Sequence, residues 1–457
     1  MSPAYQLATF ATDVTCPIGH PLMSGLRPPA STIDDPLQAH GFVLLGAGDP
    51  IVVAAIDWCE IRNQSYRRWR EALAKAAGTE PERVMLCSVH QHDAPVSDLG
   101  AEAILATEGL GGATLDATFQ ESAIQAVATA LEAGLQDART VTHVGLGRAK
   151  VAEVASNRRV VMPDGQVSFL RTSHSAGDPV FRDAPEGMID QWLQLISFWE
   201  ESEPVLALHA YSTHPMSHYG MGAVSADFVG MARSRRQQDE PDVHQIYVSG
   251  CSGDTTAGKF NDGSPEHREV LASRLHDAMV EAWRTTERHP LGPVSFRAEP
   301  LGLEFRKDEE YTTGAMRSVV MDPSADTRDR ILAAMGLNSR ITAEREGSIS
   351  MPCLDLGPAM IVLFPAEAFV DYQLMAQRMR PDAFVMSIGY GESWPGYIPT
   401  DEAFQDGFDD HWLWIAPGAE GRIRGALYQL LHPVCLSRTP LDCDGATGIV
   451  REACCRL

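Results

Sequence analysis

Short apolar, strand-like runs alternate with amphipathic, helix-like segments along most of the 457 residues, and this alternation limits the fold more than any other feature. Two β-branched runs, 41–46 and 51–57, flank Gly48-Asp49-Pro50, which is hairpin punctuation. Helical spacing follows over 62–77, then an apolar run over 84–89 that stops at His90, then an Ala-rich helix over 114–135. Further strands are predicted over 141–150, 166–170, 189–199, 205–211, 245–248, 294–304, 360–364 and 383–388. Further helices are predicted over 226–237, 265–284, 308–321, 327–335, 366–378 and 418–431. That order predicts an α/β fold in which mixed sheets are layered with helices. No repeat, low-complexity tract or linker divides it, so 1–432 is expected to be a single domain. Residues 433–457 carry four cysteines and no periodic pattern, and are expected to be a C-terminal tail of unassigned role.

Charge removes one class of partner. With 37 Lys+Arg against 61 Asp+Glu the net charge is −24, whereas nucleic-acid binding is driven by neutralising phosphates. The local exception, Arg233-Ser234-Arg235-Arg236, falls in a predicted helix followed by acids, so no nucleic-acid partner is expected. No window approaches the ~20 apolar residues of a membrane span. The first residues lack a basic stretch leading into a long apolar one, so no signal peptide is expected. The nine cysteines are odd in number, irregularly spaced and without a CxxC pair, which favours free thiols in a reducing, cytoplasmic setting.

Chemistry-bearing residues gather where strands end, the usual position of sites in open α/β sheets. His90-Gln91-His92-Asp93-Ala94-Pro95 follows a buried run; on extended backbone an HxH pair sends both imidazoles to one side, suiting a metal, although two solvated loop histidines fit as well. His214 stands at the mouth of the 205–211 strand and either complements that pair or is a capping or solvated histidine, whereas His209 and His218 favour the latter roles. Small residues over 249–256 permit close backbone approach to a ligand but do not form a phosphate loop, and a tight turn explains them equally. Glu367 follows a strand and opens the predicted 366–378 helix, so its carboxylate either favours that helix N-terminus or acts as a ligand or catalyst. The Gly- and aromatic-rich stretch 389–400 suits a pocket wall, with packing as the default role of its rings.

Taken together and in order, these segments resemble the neutral/alkaline (non-lysosomal) ceramidase family, specifically the N-terminal catalytic domain of its bacterial members. Asp13-Val14-Thr15-Cys16-Pro17-Ile18-Gly19 is similar to the family's Asp-Ile-Thr-Pro-Pro-x-Gly opening, and His90 to Pro95 to its His-Thr-His-Ser-Gly-Pro. Asn157-Arg158-Arg159 resembles its Asn-Arg-Ser element, and Tyr211 to Pro215 followed by Ser225-Ala226-Asp227-Phe228 its second-histidine region. Gly250 to Asp254, Pro365-Ala366-Glu367 and Gly396-Tyr397-Ile398-Pro399-Thr400 resemble its Gly-x-x-Gly-Asp, Pro-Gly-Glu and Gly-Tyr-Val-x-Thr elements.

The resemblance implies a single ceramidase-like catalytic domain and one Zn2+ ion held by His90, His214, Glu367 and Tyr397. It makes His92 the acid/base histidine, and Arg158, with Tyr397, a substrate or oxyanion contact. The expected activity is zinc-dependent amide hydrolysis of a small N-acyl compound by activated water, with a zinc esterase or lactonase, or a non-catalytic ceramidase-like binding protein, as alternatives. The chain departs from the family where Gly-Asp-Val-Ser-Pro-Asn becomes Gly253-Asp254-Thr255-Thr256-Ala257-Gly258, leaving Thr256 as the catalytic serine's only replacement. A second family tyrosine is missing, Asp409 being nearest, and the immunoglobulin-like domain of the secreted ceramidases is not expected. These departures point toward a soluble or amphiphilic N-acyl compound and away from ceramide.

Overall fold

The computed structural model describes residues 5–432; the expected tail at 433–457 lies outside the described residues. Three mixed sheets form the frame. In spatial order the first is Val84–Ser88, Ile51–Ile56, Gln38–Leu45, Tyr5–Asp13 and Arg139–Val141. The second is His244–Ser249, Glu203–Tyr211, Trp192–Glu200, His143–Lys150 and Glu287–Pro290. The third is Ser295–Leu301, Ile349–Asp355, Ala359–Leu363 and Phe384–Ile388.

Each sheet is antiparallel except for one edge pair. Ile51–Ile56 runs parallel to Val84–Ser88, Glu203–Tyr211 to His244–Ser249, and Ala359–Leu363 to Phe384–Ile388. Parallel neighbours need a crossover, and here the crossovers contain the helices Asn63–Ala77, Asp227–Asp239 and Val370–Met379. Three strand–helix–strand units therefore supply six strand C-termini. Backbone and hydroxyl bonds draw them together: Ser88 N–H donates to Tyr390 O at 3.0 Å, Gly389 N–H to Ser249 O at 2.8 Å, and the Ser249 hydroxyl to Val89 O at 2.8 Å.

The inner faces of the first two sheets pack on each other, with the Phe42 and Phe198 rings 5.5 Å apart. Asn63–Ala77 and Ala117–Gly134 cover the outer face of the first sheet. Pro265–Arg284 packs on the second, while Thr327–Glu346 and Ala419–Leu431 share a core with the third. This is the helix-and-sheet layering that the alternation implies. Local chemistry sets helix ends as the sequence suggests. Gly78, at φ 69°, closes Asn63–Ala77 in the left-handed conformation, and the Asp116 carboxylate caps Ala117–Gly134 by accepting from Thr118 and Phe119 N–H. The Arg233–Arg236 run is engaged within the fold: Arg233 grips buried Asp57 through two bonds at 2.8 and 2.6 Å.

The differences from the predicted elements have physical causes. The 141–150 run divides at Thr142, whose N–H donates to Trp199 O at 2.8 Å, so its two halves join different sheets. The predicted 366–378 helix begins at Val370, because Glu367–Ala368 pairs with Tyr397–Ile398 and Glu367 N–H donates to Gly396 O at 3.0 Å. Glu367 is therefore a strand residue, and the helix N-terminus reading of its carboxylate is corrected.

Two structural histidines, His209 buried and His244 half-buried, give a pH prediction. Burial, opposed by a Gln245 hydrogen bond, lowers His209 to about 4; burial and the nearby Arg233 lower His244 to about 4. The folded chain keeps both imidazoles neutral, while the unfolded chain protonates them near pH 6.5. Stability is thus fully present above pH 6.5 and falls as pH drops toward 4, by about 2–3 kcal/mol per histidine at pH 4.5. Urea unfolding of wild type and His209→Gln at pH 7 and pH 4.5 should show a loss on acidification that is smaller in the variant by about 2–3 kcal/mol, the share of His209. An unchanged pH slope in that variant would refute the assignment.

Candidate active site

The loops after the six parallel strand ends meet at one buried point. His90 follows Val84–Ser88; its N–H donates to Trp58 O at 2.9 Å, its φ is +80°, and its ring stacks on Tyr390 at 4.1 Å. A positive φ at a non-glycine residue is strained, and here stacking and hydrogen bonding hold it. His214 follows Glu203–Tyr211, with its N–H donating to Thr255 O at 3.0 Å. Glu367 arrives after Ala359–Leu363 through a left-handed Ala366 at φ +49°. All three side chains are buried.

Their ring and carboxylate atoms converge. Glu367 Oε2 lies 3.0 Å from His214 Nε2 and 3.4 Å from His90 Nε2. Behind each ring stands a carbonyl: His90 Nδ1 is 2.8 Å from Cys59 O, and His214 Nδ1 is 2.6 Å from Ser252 O. Carbonyls only accept, so each Nδ1 carries a proton, and in a neutral ring Nε2 is then left as a lone pair. Burial lowers His214 to about 4, with Arg158 adding to the effect, so its ring stays neutral. Burial alone would raise Glu367, and only positive charge at the His90 and His214 rings would hold the carboxyl well below its usual range; with neutral rings that charge has to come from elsewhere. Two acceptors therefore face each other at 3.0 Å, and buried His90 Nε2 has no hydrogen-bond partner among the described residues. A cation between the three atoms resolves both facts, and carbonyl-oriented imidazoles are the usual support of metal ligands. The donor set of two imidazoles and one carboxylate suits zinc.

Cys59, His90 and His92 form a second grouping of candidate ligands. It is the poorer one. His90 Nδ1 is committed to Cys59 O, and burial together with Glu60 and Glu367 pushes the Cys59 thiol well up, so it stays protonated.

The other expected residues divide. Tyr397 is the register partner of Glu367 on the adjoining strand, and its phenol accepts from Arg158 Nη1 at 2.9 Å. His92 donates from Nδ1 to His90 O at 3.0 Å and packs edge-to-face on His90, with ring centroids 4.8 Å apart; its Nε2 has no partner among the described residues. Burial, reinforced by His90 and His214, keeps that ring neutral. His90, His92, Arg158, Glu367 and Tyr397 line one cavity of about 340 Å³, walled also by Phe169, Phe408 and Trp412. Thr256 does not join them: it is fully buried, its Oγ1 accepts Gly258 N–H at 3.1 Å, and its backbone pairs with Ser156. His209 bonds Gln245 at 2.9 Å and His218 faces Gly263 O at 2.6 Å, both structural contacts.

The Gly250–Asp254 and Asn157–Arg159 segments act as a brace. Asp254 accepts from Asn157 Nδ2 at 2.6 Å and from Val370 N–H at 2.8 Å, and its carbonyl accepts Arg158 N–H at 2.6 Å. Arg158 is thereby tied to the start of the Val370–Met379 helix, just after the strand that carries Glu367. Sequence reasoning missed Ser252, which orients His214 by its carbonyl and bonds Tyr390 Oη at 2.6 Å. Tyr390 lies in the stretch assigned to packing, yet it is the platform under His90. Cys59 and Tyr219, also on the cavity wall, carry no local signal.

No protein-family model matches the chain, and no match is found among curated proteins. Solved structures do share its fold. Neutral ceramidase from Pseudomonas aeruginosa superposes with a TM-score of 0.67 at 15% identity, over 94% of this chain and 74% of that one. A ceramidase complexed with C2 gives a TM-score of 0.67 at 15% identity, over 94% and 75% of the two chains. The chain thus has a ceramidase-like fold along nearly its whole length. Among the described residues, no helix is long and apolar enough to cross a membrane.

Proposed function

We propose that this protein is a zinc-dependent hydrolase that cleaves the amide bond of an N-acyl compound. The observation that carries the reading is the meeting of His90 Nε2, His214 Nε2 and Glu367 Oε2, three electron-pair donors with no proton to share. These residues would hold the metal, with Tyr397 beside Glu367 as the further oxygen donor. Zinc supplies a Lewis acid and lowers the pKa of water toward ~7.

The protein's own groups then do the rest. His92, neutral and oriented by its bond to His90 O, presents Nε2 as a base within the cavity. It takes a proton from water as the water oxygen bonds to the amide carbon, and returns it to the nitrogen as the C–N bond breaks. Arg158 and the Tyr397 phenol, joined at 2.9 Å, offer positive charge and a donor to the carbonyl oxygen as it becomes negative. The wall of Phe169, Phe408 and Trp412 keeps the site dry and receives the apolar part of the acyl compound.

Mass-spectrometric metal analysis of the intact chain, of a chain ending at His432 and of His90→Ala tests the reading. Expected is about one zinc per chain, unchanged by truncation and lost in His90→Ala, with measurable hydrolysis of acylated fluorogenic amides. Turnover of the matching esters without any of the amides would make it an esterase. Zinc without turnover, or no zinc uptake at all, would make it a binding protein.

A further inference from the structure

The cavity mouth carries charges of both signs, and nearly all are committed within the fold. Asp409 is paired with Arg306 at 2.7 Å, Asp410 accepts Trp412 N–H at 2.8 Å, and Arg158 Nη1 donates to Tyr397. Arg27 is different. It lines the same cavity, is exposed, and its guanidinium has no ion-pair or hydrogen-bond partner among the described residues.

Its position is nevertheless built. A backbone bridge pairs Arg27 with Leu22, and Met23 N–H donates to Ala94 O at 3.1 Å, tying this loop to the segment just after His92. The guanidinium carbon sits 5.3 Å from the Tyr219 ring centroid, and that ring packs 5.4 Å from the His92 ring. Gly220 lies alongside the arginine stem: a Cβ there would be in ordinary contact with Arg27 Cδ, at 3.5 Å. One aromatic ring thus separates an uncommitted planar cation from the proposed base, in a chain whose net charge is −24. A neutral acyl compound would leave that cation to water and a ring face; a carboxylate would take both arms of its fork.

We propose that the substrate bears a carboxylate within a few bonds of the scissile amide and that Arg27 binds it. This deepens the amide-hydrolase reading and rests on it for the reaction, though not for the binding.

The test uses two matched pairs on zinc-loaded protein: N-octanoylglycine against N-octanoylglycinamide, and N-octylsuccinamic acid against its carboxamide. The first acid places its carboxylate on the amine side, the second on the acyl side. At least one acid should exceed its amide by about tenfold in kcat/KM, the size of an exposed charge-assisted contact. High salt should shrink that ratio. Arg27→Met should bring it to within about twofold, and Arg27→Lys should keep part of it. Calorimetry on zinc-loaded His92→Ala gives the same comparison as affinity, without turnover. An acid preference in binding that Arg27→Met removes, with no hydrolysis in the wild type, would sink the reaction and leave the anion site standing. Equal affinity for acid and amide in both pairs, a preference that survives Arg27→Met, or no binding of either acid would overturn the proposal.

Discussion

Glu367→Gln should lose zinc and at least about a thousandfold in kcat/KM, equivalent to about 4 kcal/mol of transition-state stabilisation. The substitution changes charge and almost nothing else. Glu367 N–H still reaches Gly396 O, the strand pair with Tyr397–Ile398 is a backbone feature, and the amide is isosteric with the carboxylate. What changes is the meeting point. The carboxylate oxygen opposes two imidazole lone pairs at 3.0 and 3.4 Å, an arrangement that needs a cation, whereas an amide NH2 can donate to His214 Nε2 directly. Metal-free Glu367→Gln should therefore be at least as stable as metal-free wild type, and its melting temperature should no longer rise on adding zinc. Metal analysis, activity and melting curves on the same preparations check this together. Full zinc occupancy in the variant would remove Glu367 from the ligand set; a large fall in metal-free melting temperature would mean that its role is structural.

The site residues that can be found in the sequence are those at the ends of buried runs. Val84–Ser88 and Glu203–Tyr211 are nearly continuous apolar strands, so the polar clusters holding His90 and His214 stand out against them. The same logic finds Glu367 but misplaces its backbone. Its neighbours have helical composition, and only the N–H bond to Gly396, 29 residues away in sequence, makes the segment a strand. The period-two argument for His90 and His92 reaches a true neighbourhood by a wrong route: at φ +80° His90 is not extended, and the rings meet because the chain kinks between strand and loop. Ser252 and Tyr390 are invisible locally because their roles exist only across the sheets, between sequence positions 138 residues apart. Thr256 shows the reverse error. A hydroxyl at the serine's place in the resemblance turns instead to Gly258 N–H, because the turn around Thr255 and Thr256 pairs with Ser156–Asn157 to brace Arg158.

His92→Ala should keep its zinc, close to one per chain, while kcat falls by about 10²–10⁴. The split between metal and rate follows from how the two histidines of the HxH pair are held. His90 gives Nδ1–H to Cys59 O and aims Nε2 at Glu367; His92 gives Nδ1–H to His90 O, and its Nε2 has no partner among the described residues. His92 is therefore oriented by the ligand residue without being needed to fill the ligand set, and what the alanine variant lacks is a mobile proton. Its ring also packs against Tyr219 at 5.4 Å, so a purely structural role would lower activity too. Added imidazole separates the two: a freely diffusing base should restore part of kcat in His92→Ala at saturating substrate, whereas a collapsed wall would not respond. Loss of zinc in the same variant would be the more serious outcome. It would move the metal to the Cys59, His90 and His92 grouping and require a proton between Glu367 and His214 instead.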